Sequence, residues 1–441
     1  MQFGSFQDCP NNKIMPSSSA AAKQLLSNSR TAVVGGSMGG AAVAIALQGL
    51  AASVSVFDRS ATFDGHGHAI GLPVPMLEKL KESQFISSSY QHPKVVGRKW
   101  YVKDDQVADG LGREVWHQQV PLTLHHWGHL HGQLRSRIAD NLHLNVNVDE
   151  TKIEIDDDGI QLYEAGSGKD LGKFDLVVAA DGVNSGIRSI IAPNKNPIFA
   201  GYVAWRASYP LERLADAPGL ETLLELTSND NDVVILTAVF EGGQFLGYRM
   251  PSLGGGEDNN KPHFNIVMFA PPPPSVTFEG GKGYRTIPSA ARQYLYDTIA
   301  DTKLPPFFQH AVRASGNDLW LHPIVDESPA TIIHRPSNRL LLVGDAAATL
   351  RPHTASGTVK AFQDAFCLQE LAKTNPTLGE FCQIYDRQRV AEAQSLVELG
   401  KHLGSAQILN APDWASMTEQ EYADFWHNMI SGTNFAYKTK P

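Results

Sequence analysis

A short glycine-rich stretch, GGSMGG at residues 35–40, has the residue types and spacing of a dinucleotide-binding turn. Small residues let the backbone approach a pyrophosphate, and the free N–H groups at the start of the next helix favour its negative charge. Ser37 replaces the middle glycine but is still small. Asp58, at the end of the next predicted strand, could accept hydrogen bonds from a ribose. The spacing favours nucleotide binding over a purely structural glycine turn.

A buried βαβ unit must position this turn. Residues 31–34 and 53–57 are predicted strands, and a helix from about residue 37 to residue 50 joins them. Residues 31–57 carry no charge and are numerous enough to cross a bilayer, but the clustered glycines favour the βαβ interpretation.

Further along the chain the pattern changes. Four apolar stretches between residues 202 and 269 are closely spaced, which predicts an antiparallel sheet. Residues 143–148 and 152–155 suggest a hairpin. An apolar strand at 339–343 and a helix at about 356–373 then restore the α/β pattern. We therefore expect a nucleotide-binding domain that is discontinuous in sequence, with a second domain inserted.

The composition excludes several classes of protein. Of 441 residues, 42% are hydrophobic, so a large core is expected and disorder is not. The net charge of −9 lacks the basic surface of a nucleic-acid or anionic-membrane binder. Three scattered cysteines suit neither a disulfide framework nor a zinc site. No secretory signal is recognised, so a cytoplasmic location is expected. We expect the protein to be a monomer or a homodimer.

Two more segments, DLVVAADGVNSGIR at 175–188 and LLVGDAA at 341–347, the latter followed by RPHTASGTVKA at 351–361, complete a larger pattern. In this order the three segments resemble those of the class A flavoprotein monooxygenases, the FAD-dependent aromatic hydroxylases of the para-hydroxybenzoate hydroxylase-like fold. The last segment is similar to the 2,6-dihydroxypyridine 3-monooxygenase branch. Commoner members of the family have P-x-x-G-Q-G-x-N-x-A at this place. In the present sequence, the first Gly, the Gln and the Asn are replaced by Ala355, Ser356 and Val359.

The resemblance implies an α/β fold: a Rossmann-like FAD-binding domain of the GR2 type, an inserted antiparallel β-sheet substrate domain and C-terminal helices. We assign residues 1–28 to a flexible extension. Residues 29–97, 120–198 and 318–375 form the FAD-binding domain, 98–119 and 199–317 the substrate domain, and 376–441 the C-terminal helical segment.

The resemblance also implies the cofactor contacts. Trp127 stands where common members place an FAD-contacting Arg, and His66 and His68 correspond to the segment that passes near the isoalloxazine. The predicted cofactor-binding residues are Gly35, Ser37, Met38, Gly40, Asp58, Arg59, His68, Trp127, Asp181, Gly344, Asp345, Pro352, Ala355, Gly357 and Thr358. A flavin over the helix that starts near Ser356 would have its N1/O2 edge at the positive end of the helix dipole. As an alternative, Asp345 could simply be a helix-entry residue.

The implied reaction uses tightly but non-covalently bound FAD. NAD(P)H reduces FAD, O2 adds to give a C4a-hydroperoxide, and an electron-rich phenol, hydroxypyridine or polyketide-like ring attacks it. The alternatives are a flavin reductase or halogenase of the same fold, or a non-catalytic flavin- or nucleotide-binding protein. No metal is required, although His125, His126, His129 and His131 are clustered.

Candidates for direct action on the substrate are fewer. His353 lies in the flavin-facing turn and could titrate near neutral pH, or it could hold the turn by a hydrogen bond. Alternation along a strand puts Tyr202 and Arg206 on one face and Trp205 on the other. We predict that Tyr202 and Arg206 line the substrate side, where an Arg would suit a phenolate or carboxylate.

Overall fold

The computed structural model describes residues 25–62, 69–193, 195–227, 231–251, 261–278, 283–301, 304–374, 377–431 and 433. The chain opens with the predicted βαβ unit: β1 (Arg30–Val34), α1 (Met38–Leu47) and β2 (Ser53–Asp58). The two strands pair in parallel, and α1 is buried along almost its whole length. The uncharged stretch is therefore buried inside an α/β layer. No helix among the described residues is long and apolar enough to cross a membrane.

A parallel sheet of five strands forms around this unit, in the order β17-β11-β1-β2-β7. The added strands are β7 (Leu142–Leu144), β11 (Leu176–Ala179) and β17 (Leu340–Leu342). The helices that belong to this layer are α2 (Val74–Glu82), α3 (Trp127–Ser136), α4 (Arg188–Ile191), α8 (Gly344–Ala347), α9 (Gly357–Thr374) and α10 (Leu378–Gly404). Because all strands run in parallel, their carboxyl ends meet at one edge, where the three glycine-containing segments lie.

The second large sheet has nine strands and is antiparallel except where β13 and β4 pair in parallel. Its main path is β16-β12-β15-β14-β13-β4-β6-β3, and β5 pairs with β4. Its strands are β3 (Ala69–Pro73), β4 (Lys94–Val102), β5 (Arg113–Gln118), β6 (Leu122–His126), β12 (Ile198–Pro210), β13 (Asp232–Phe240), β14 (Gly243–Met250), β15 (His263–Ala270) and β16 (Trp320–Asp326). The four strands predicted between residues 202 and 269 are confirmed.

The nine-stranded sheet has two different faces. Trp205 and its neighbours on one face pack against α5 (Leu220–Leu226), α6 (Ser289–Asp301) and α7 (Pro306–Ala314). The opposite face carries Tyr202 and Ala204. Where this face reaches β4 and β5, α11 (Glu419–Ile430) covers it through Trp426. The predicted alternation along β12 is thus confirmed, and Tyr202 lies away from the helix-covered core.

The predicted hairpin of residues 143–148 and 152–155 is wrong. β7 pairs with β2, and the backbone N–H groups of Asn145 and Val146 donate to Ser60 and Asp58, which ties this stretch to the parallel sheet. Residues 154–155 instead form β8 (Glu154–Ile155) of a small antiparallel sheet with β9 (Ile160–Tyr163) and β10 (Asp170–Phe174). Each stretch pairs with a partner that local alternation does not reveal.

The strands do not follow the predicted segment boundaries closely. β4 runs across the boundary between residues 97 and 98, and β3, β6 and β16 belong to the nine-stranded sheet although their segments were assigned to the cofactor domain. Leu26 is buried, and its carbonyl accepts from Ala52, so residues 25–28 pack against the βαβ unit. Residues 1–24 lie outside the described residues. The domain division itself stays a prediction.

Candidate functional site at the carboxyl edge of the parallel sheet

The glycine turn is held tightly by its own glycines. Gly35 has a φ of +100°, and a Cβ there would lie 2.4 Å from the Ala180 carbonyl oxygen. A Cβ on Gly40 would lie 1.7 Å from the Gly35 carbonyl oxygen. The turn therefore requires glycine at both positions for close packing of α1 against β1 and β11.

Asp58 supports this turn from the next strand. Its Oδ2 accepts from the Gly36 N–H at 2.6 Å, and its Oδ1 accepts from the Ser60 N–H at 2.7 Å. The carboxylate is buried. Asp58 thus lies beside the predicted cofactor turn and fixes its shape, while each oxygen keeps a second lone pair.

Open space adjoins the second segment near the turn, because a Cβ on Gly182 would meet nothing within 4 Å. We call the region along the carboxyl edge of the parallel sheet, between the three segments, the cleft. Helix α1 begins at Met38, whose side chain is buried. Among the described residues, no side chain caps this helix, so its first backbone N–H groups are left without a side-chain acceptor. The predicted cofactor residues around the cleft divide by exposure. Exposed are Ser37, Arg59, Asp345, Pro352 and Ala355; half-buried are Trp127, Asp181, Gly357 and Thr358.

Trp127 approaches the turn through a neighbour. Its ring stacks on His131 at a centroid distance of 4.7 Å, and His131 Nε2 lies 2.8 Å from the Gly36 carbonyl oxygen. Burial lowers the pKa of His131, so the neutral ring is favoured and its Nε2–H donates to that carbonyl. The structure therefore places Trp127 at the edge of the cleft.

Arg188 joins the second and third segments. Its guanidinium is buried and donates to the carbonyls of Gly182 and Val183 on one side and of Asp345 and Ala346 on the other. Glu327 lies 3.6 Å from Arg188 Nε and supplies a buried counter-charge. One side chain therefore fixes the distance between two loops that are more than 150 residues apart in sequence.

A buried charge network holds the Gly344 turn from below. Lys360 Nζ donates to the Gly344 carbonyl at 3.0 Å and to Asp364 Oδ2 at 2.9 Å. The same Asp364 oxygen accepts from the Gly344 N–H, and its other oxygen accepts from Arg389 Nε at 2.6 Å. Burial alone would raise the pKa of Asp364, but Lys360 and Arg389 lower it overall. The three side chains are joined by two buried ion pairs.

The turn that follows, between α8 and α9, uses a left-handed residue. Ala355 has a φ of +50°, at the position where common members of the resembled family have glycine. A non-glycine residue pays roughly 1–2 kcal/mol for that conformation. Gly357 then begins α9, and a Cβ there would lie 3.9 Å from Asp345 Oδ1. Pro352, Ala355, Gly357 and Asp345 thus border the same end of the cleft.

Two carboxylates in the cleft have raised pKa values. Burial raises the pKa of Asp181, whose Oδ1 is buried without a hydrogen-bond partner. Desolvation by the surrounding protein also raises the pKa of Asp345, against the effect of Lys360 and Arg188, although its side chain is exposed to the cleft. An unpartnered buried carboxylate oxygen favours a ligand that donates a hydrogen bond.

His353, in the turn before α9, and Tyr202, on β12, are brought together. The Tyr202 hydroxyl lies 2.8 Å from His353 Nε2, and Phe269 packs on the same imidazole at 4.4 Å between centroids. Burial lowers the pKa of His353 to about 3, helped by Arg351 and Arg98, and raises that of Tyr202 to about 12. Both groups are therefore neutral near pH 7, and a Tyr202 hydroxyl that donates to Nε2 satisfies both.

Gly404 makes this pair possible. A Cβ on Gly404 would lie 2.2 Å from the Tyr202 hydroxyl oxygen and 3.2 Å from His353 Cδ2. Arg351, next to His353, is held by Asp326, which accepts from its Nε at 2.7 Å. The C-terminal end of α10 therefore closes over the Tyr202–His353 pair.

Arg206 lies on the same sheet face as Tyr202, four residues further along β12. Its guanidinium lies over the Trp320 ring at 5.6 Å, and its Nε is buried without a hydrogen-bond partner. Arg206 is thus separate from the Tyr202–His353 pair but faces the same side of the sheet.

The remaining predictions concern two groups of histidines, one near the predicted isoalloxazine and one clustered at residues 125–131. His66 and His68 lie outside the described residues. In the histidine cluster, His125 is buried and bonds to Thr123 Oγ1 at 2.7 Å and to the Tyr90 hydroxyl at 3.2 Å, whereas His131 faces the glycine turn. Among the described residues, no group of three or more His, Cys, Asp or Glu side chains could hold a metal.

Sequence reasoning missed several residues that shape the cleft. Three of them lie inside or directly beside the motif segments: Arg188, Lys360 and Asp364. The signal available in the sequence was a charged residue at helical spacing in or next to a motif that is expected to be buried. Arg389 and Gly404, both on α10, carried no local signal because their partners are distant in sequence.

A search against protein-family models found no match. The chain is 23% identical over 398 residues to the 6-hydroxynicotinate 3-monooxygenase of Bordetella bronchiseptica, covering 87% of this chain and 94% of that one. It is 23% identical over 389 residues to the 2,6-dihydroxypyridine 3-monooxygenase of Paenarthrobacter nicotinovorans, covering 85% and 91%.

Solved structures agree on the fold. The 2,6-dihydroxypyridine-3-hydroxylase from Arthrobacter nicotinovorans superimposes with a TM-score of 0.72 at 21% identity, covering 87% of this chain and 94% of that one. Klebsiella pneumoniae HpxO complexed with FAD and uric acid superimposes with a TM-score of 0.68 at 19% identity, covering 93% and 95%. The fold is that of the FAD-dependent monooxygenases, as predicted. The curated relatives also confirm the resemblance to this class and the prediction of an oxidoreductase.

Proposed function

We propose that this protein is an FAD-dependent monooxygenase that hydroxylates an electron-rich aromatic or heteroaromatic ring with NAD(P)H and O2. One observation carries the proposal. Three segments of the chain that resemble flavin-binding motifs meet at the carboxyl edge of the parallel sheet, next to the face of the nine-stranded sheet that carries Tyr202. Relatives named as hydroxypyridine and hydroxynicotinate monooxygenases support a ring of that type.

The cleft fits FAD by its own chemistry. The uncapped start of α1 suits the diphosphate, and the unpartnered Asp181 Oδ1 suits a hydroxyl donor. A Cβ on Gly182 would meet nothing within 4 Å, so open space adjoins the second segment. Gly344, Asp345 and the turn before α9 would then border the flavin ring. When bound, FAD would take electrons from NAD(P)H and activate O2.

The Tyr202–His353 pair is proposed to handle the proton of the substrate hydroxyl. A neutral imidazole and a neutral phenol in contact can pass a proton along one line without creating a buried charge. Phe269 and the sheet face beside it exclude water from this end of the cleft. Arg206, further along the same face, is proposed to orient the ring.

The decisive experiment uses the purified protein. We expect a yellow protein that retains FAD, and oxidation of NADH or NADPH that a panel of hydroxypyridines, phenols and aromatic polyketides stimulates. O2 uptake and a product heavier by one oxygen atom would distinguish hydroxylation from uncoupled oxidation. A colourless protein that added FAD cannot reconstitute would refute the proposal. Stimulated NAD(P)H oxidation without an oxygenated product would indicate a reductase.

Tyr202→Phe tests the proton pathway, with Tyr209→Phe as the matched control. Tyr209 lies on the same strand but on the helix-covered face, where its hydroxyl donates to the Ala311 carbonyl. We expect Tyr202→Phe to retain FAD and to lower kcat for hydroxylation about 100-fold with a changed pH profile. Tyr209→Phe should keep the kcat of the parent protein. Equal kcat values for the two variants would exclude Tyr202 from proton transfer.

A further inference from the structure

Two buried glutamines join the end of helix α10 to the nine-stranded sheet. Gln244 on β14 donates from its Nε2 to Gln407 Oε1 at 3.1 Å, and Gln407 Nε2 donates to the Leu403 carbonyl at 3.2 Å. The two glutamines are only 1% and 2% exposed. Burying an amide is costly unless it is hydrogen-bonded, so this contact, the amide pair, fixes the end of α10 on β14.

On the sheet side, the amide pair lies next to the ring that packs on His353. Gln244 is directly opposite Phe269 of β15, and residues directly opposite each other in an antiparallel sheet point to the same face. Phe269 is in turn directly opposite Ala204 and shares an apolar cluster with Tyr202. Its ring centroid is 4.4 Å from that of His353. Gln244 therefore borders the Tyr202–His353 pair through Phe269.

On the helix side, the amide pair holds the turn that covers the imidazole. Gln407 bonds to the carbonyl of Leu403, the residue before Gly404. A Cβ on Gly404 would lie 2.2 Å from the Tyr202 hydroxyl oxygen, so the backbone of α10 is in close contact with this hydroxyl. Ile408, next to Gln407, packs in the same apolar cluster as Tyr202. A displacement of this turn would therefore free the space that now confines the hydroxyl and the imidazole.

The backbone of this turn departs from an ordinary α-helix. Residues Ser405–Leu409 form a π-helical turn, in which the Asn410 N–H donates to the Ser405 carbonyl, five residues back, at 2.7 Å. Such turns are rare and often lie at functional sites. Gln407 and Ile408 are buried here, whereas Leu409 is 50% exposed. The π-helical turn thus directs two consecutive side chains at the sheet face that carries Tyr202.

The groups around the imidazole favour its neutral form. Burial, and then Arg351 of the same turn and Arg98 of β4, lower the pKa of the imidazole, and burial keeps Tyr202 a neutral phenol by raising its pKa. Asp326 of β16 pairs with Arg351 and with Lys401 of α10. A neutral imidazole has one donor and one acceptor nitrogen. Because no buried positive charge holds the ring, its alignment with the hydroxyl depends on the packing around it.

We propose that the amide pair positions the Tyr202–His353 pair for proton transfer. Its hydrogen bond ties α10 to β14, so that Gly404 and Phe269 hold the imidazole from two sides. This inference rests on the proposed function, because it assigns the tie to the same proton transfer. A misplacement of about 1 Å at an acid–base group can cost roughly 100-fold in rate. The two glutamines thus act on kcat through their neighbours and not by contact with the substrate.

Nitrogen-15 NMR of the histidine-labelled, FAD-loaded protein tests the positioning without a substrate. The His353 signals are assigned by their loss in His353→Gln. In the parent protein we expect one tautomer, with Nε2 as the acceptor, unchanged from about pH 6 to about pH 8. In Gln244→Leu, which cuts the tie, the Nε2 signal should move towards the average of the two tautomers. Gln244→Leu/Gln407→Leu, which removes both amides and so leaves neither unpaired, should show the same shift.

Gln394→Leu is the matched control for these variants. Gln394 lies on the same helix, roughly 15 Å along α10 from Gly404, and its Nε2 donates to the Pro329 carbonyl. This variant should leave the His353 signals at their parent positions. Signals that stay at those positions in both test variants would overturn the inference, and so would equal shifts in the control.

Kinetics decide whether the tie serves the reaction. With a hydroxypyridine or phenol that the parent protein hydroxylates, we expect Gln244→Leu to lower kcat about 10-fold, to leave KM within about threefold and to change the pH profile of kcat. A shifted His353 signal with unchanged kcat and pH profile would show that the tie is only structural. That result would refute the inference and leave the proposed function intact, whereas a parent protein that hydroxylates no ring would refute the proposed function and the inference with it.

Discussion

Two regions of the cleft treat buried polar groups in opposite ways. Beneath the Gly344 turn, the buried side chains of Lys360, Asp364 and Arg389 are joined by ion pairs, and of their polar atoms Arg389 Nη2 lacks a hydrogen-bond partner among the described residues. On the face of the nine-stranded sheet that carries Tyr202, Arg206 Nε and Asn265 Nδ2 are buried donors without partners among the described residues. The charges of the first region hold the backbone of the Gly344 turn in place. The donors of the second region have no protein partner among those residues and can bind a ligand.

The difference separates two kinds of specificity. A cofactor that is always the same can be held by loops whose shape is fixed by buried charges, as Arg188 fixes the Gly182 and Asp345 loops. A substrate must enter and leave, so its partners must tolerate an empty site. Unpaired donors cost stability in the empty protein but strengthen binding of the correct ligand. Substitutions in the two regions should therefore change stability in opposite directions.

Asp364→Asn should have the largest effect. It leaves Lys360 and Arg389 buried with one counter-charge fewer, since only Glu392 still pairs with Arg389. Breaking a buried pair in this way costs about 3–5 kcal/mol in the free energy of unfolding. Urea unfolding of the FAD-free protein measures the loss.

Glu370→Gln is the control for Asp364→Asn, because Glu370 pairs with Lys373 on the same helix but in an exposed position. It should cost less than about 1 kcal/mol. A similar loss from both variants would mean that the buried network does not stabilise the Gly344 turn.

Gly40→Ala should have the next largest effect. The added Cβ would lie 1.7 Å from the Gly35 carbonyl oxygen, so α1 must move away from β1. We expect a loss of about 3 kcal/mol and weaker FAD binding, because the first amides of α1 move with the helix. Gly39→Ala is the matched control: its Cβ would meet only Ala361 Cβ, at 3.4 Å. Thermal unfolding of both variants without FAD provides the comparison, and equal Tm values would contradict it.

The sequence predicted the first region far better than the second. The backbone of the glycine turn and of the Gly344 loop follows from local rules, because glycine spacing, strand pattern and helix start are all near in sequence. The buried partners of those loops were missed where they come from α10, as with Arg389 and Gly404. Local patterns do not contain such long-range contacts.

In the nine-stranded sheet, the alternation along β12 correctly placed Tyr202 and Arg206 on one face and Trp205 on the other. It could not show which of the two faces the helices α5, α6 and α7 cover. That depends on where α6 and α7 pack. Asn265 and Tyr248 drew no attention because a polar residue in a strand usually faces solvent. The capping box that begins α11, formed by Thr418 and Glu421, was also overlooked, although residues 376–441 were assigned to a C-terminal helical segment.

His125 tests a third arrangement, in which a buried polar group is partnered but neutral. Burial lowers its pKa to about 3, with smaller contributions from His92, Lys81 and His129. The unfolded chain, with an ordinary His pKa near 6.5, then binds more protons than the folded chain below that pH. Stability is therefore lost as pH falls from about 6.5 towards 3, by about 2 kcal/mol at pH 5 from this residue alone.

His125→Gln should reduce this acid sensitivity, measured as the difference in the free energy of unfolding between pH 7 and pH 5. The control is His402→Gln, because His402 is exposed and should leave the difference unchanged. An unchanged difference in His125→Gln would show that this histidine does not stay neutral in the folded protein.

Asn265→Leu should have the smallest effect on stability, and its sign decides the comparison. The substitution replaces an unpartnered buried amide by an apolar side chain of similar size, flanked on the same face by Ser208 and Tyr248. The desolvation cost of the amide disappears, so we expect the free energy of unfolding to stay equal or rise by about 1 kcal/mol. If the Asn265 amide contacts the aromatic substrate, binding of that substrate should weaken in the same variant. Urea unfolding and ligand titration on one preparation measure both, and a loss of stability comparable to that of Asp364→Asn would mean that the sheet-face donors are structural after all.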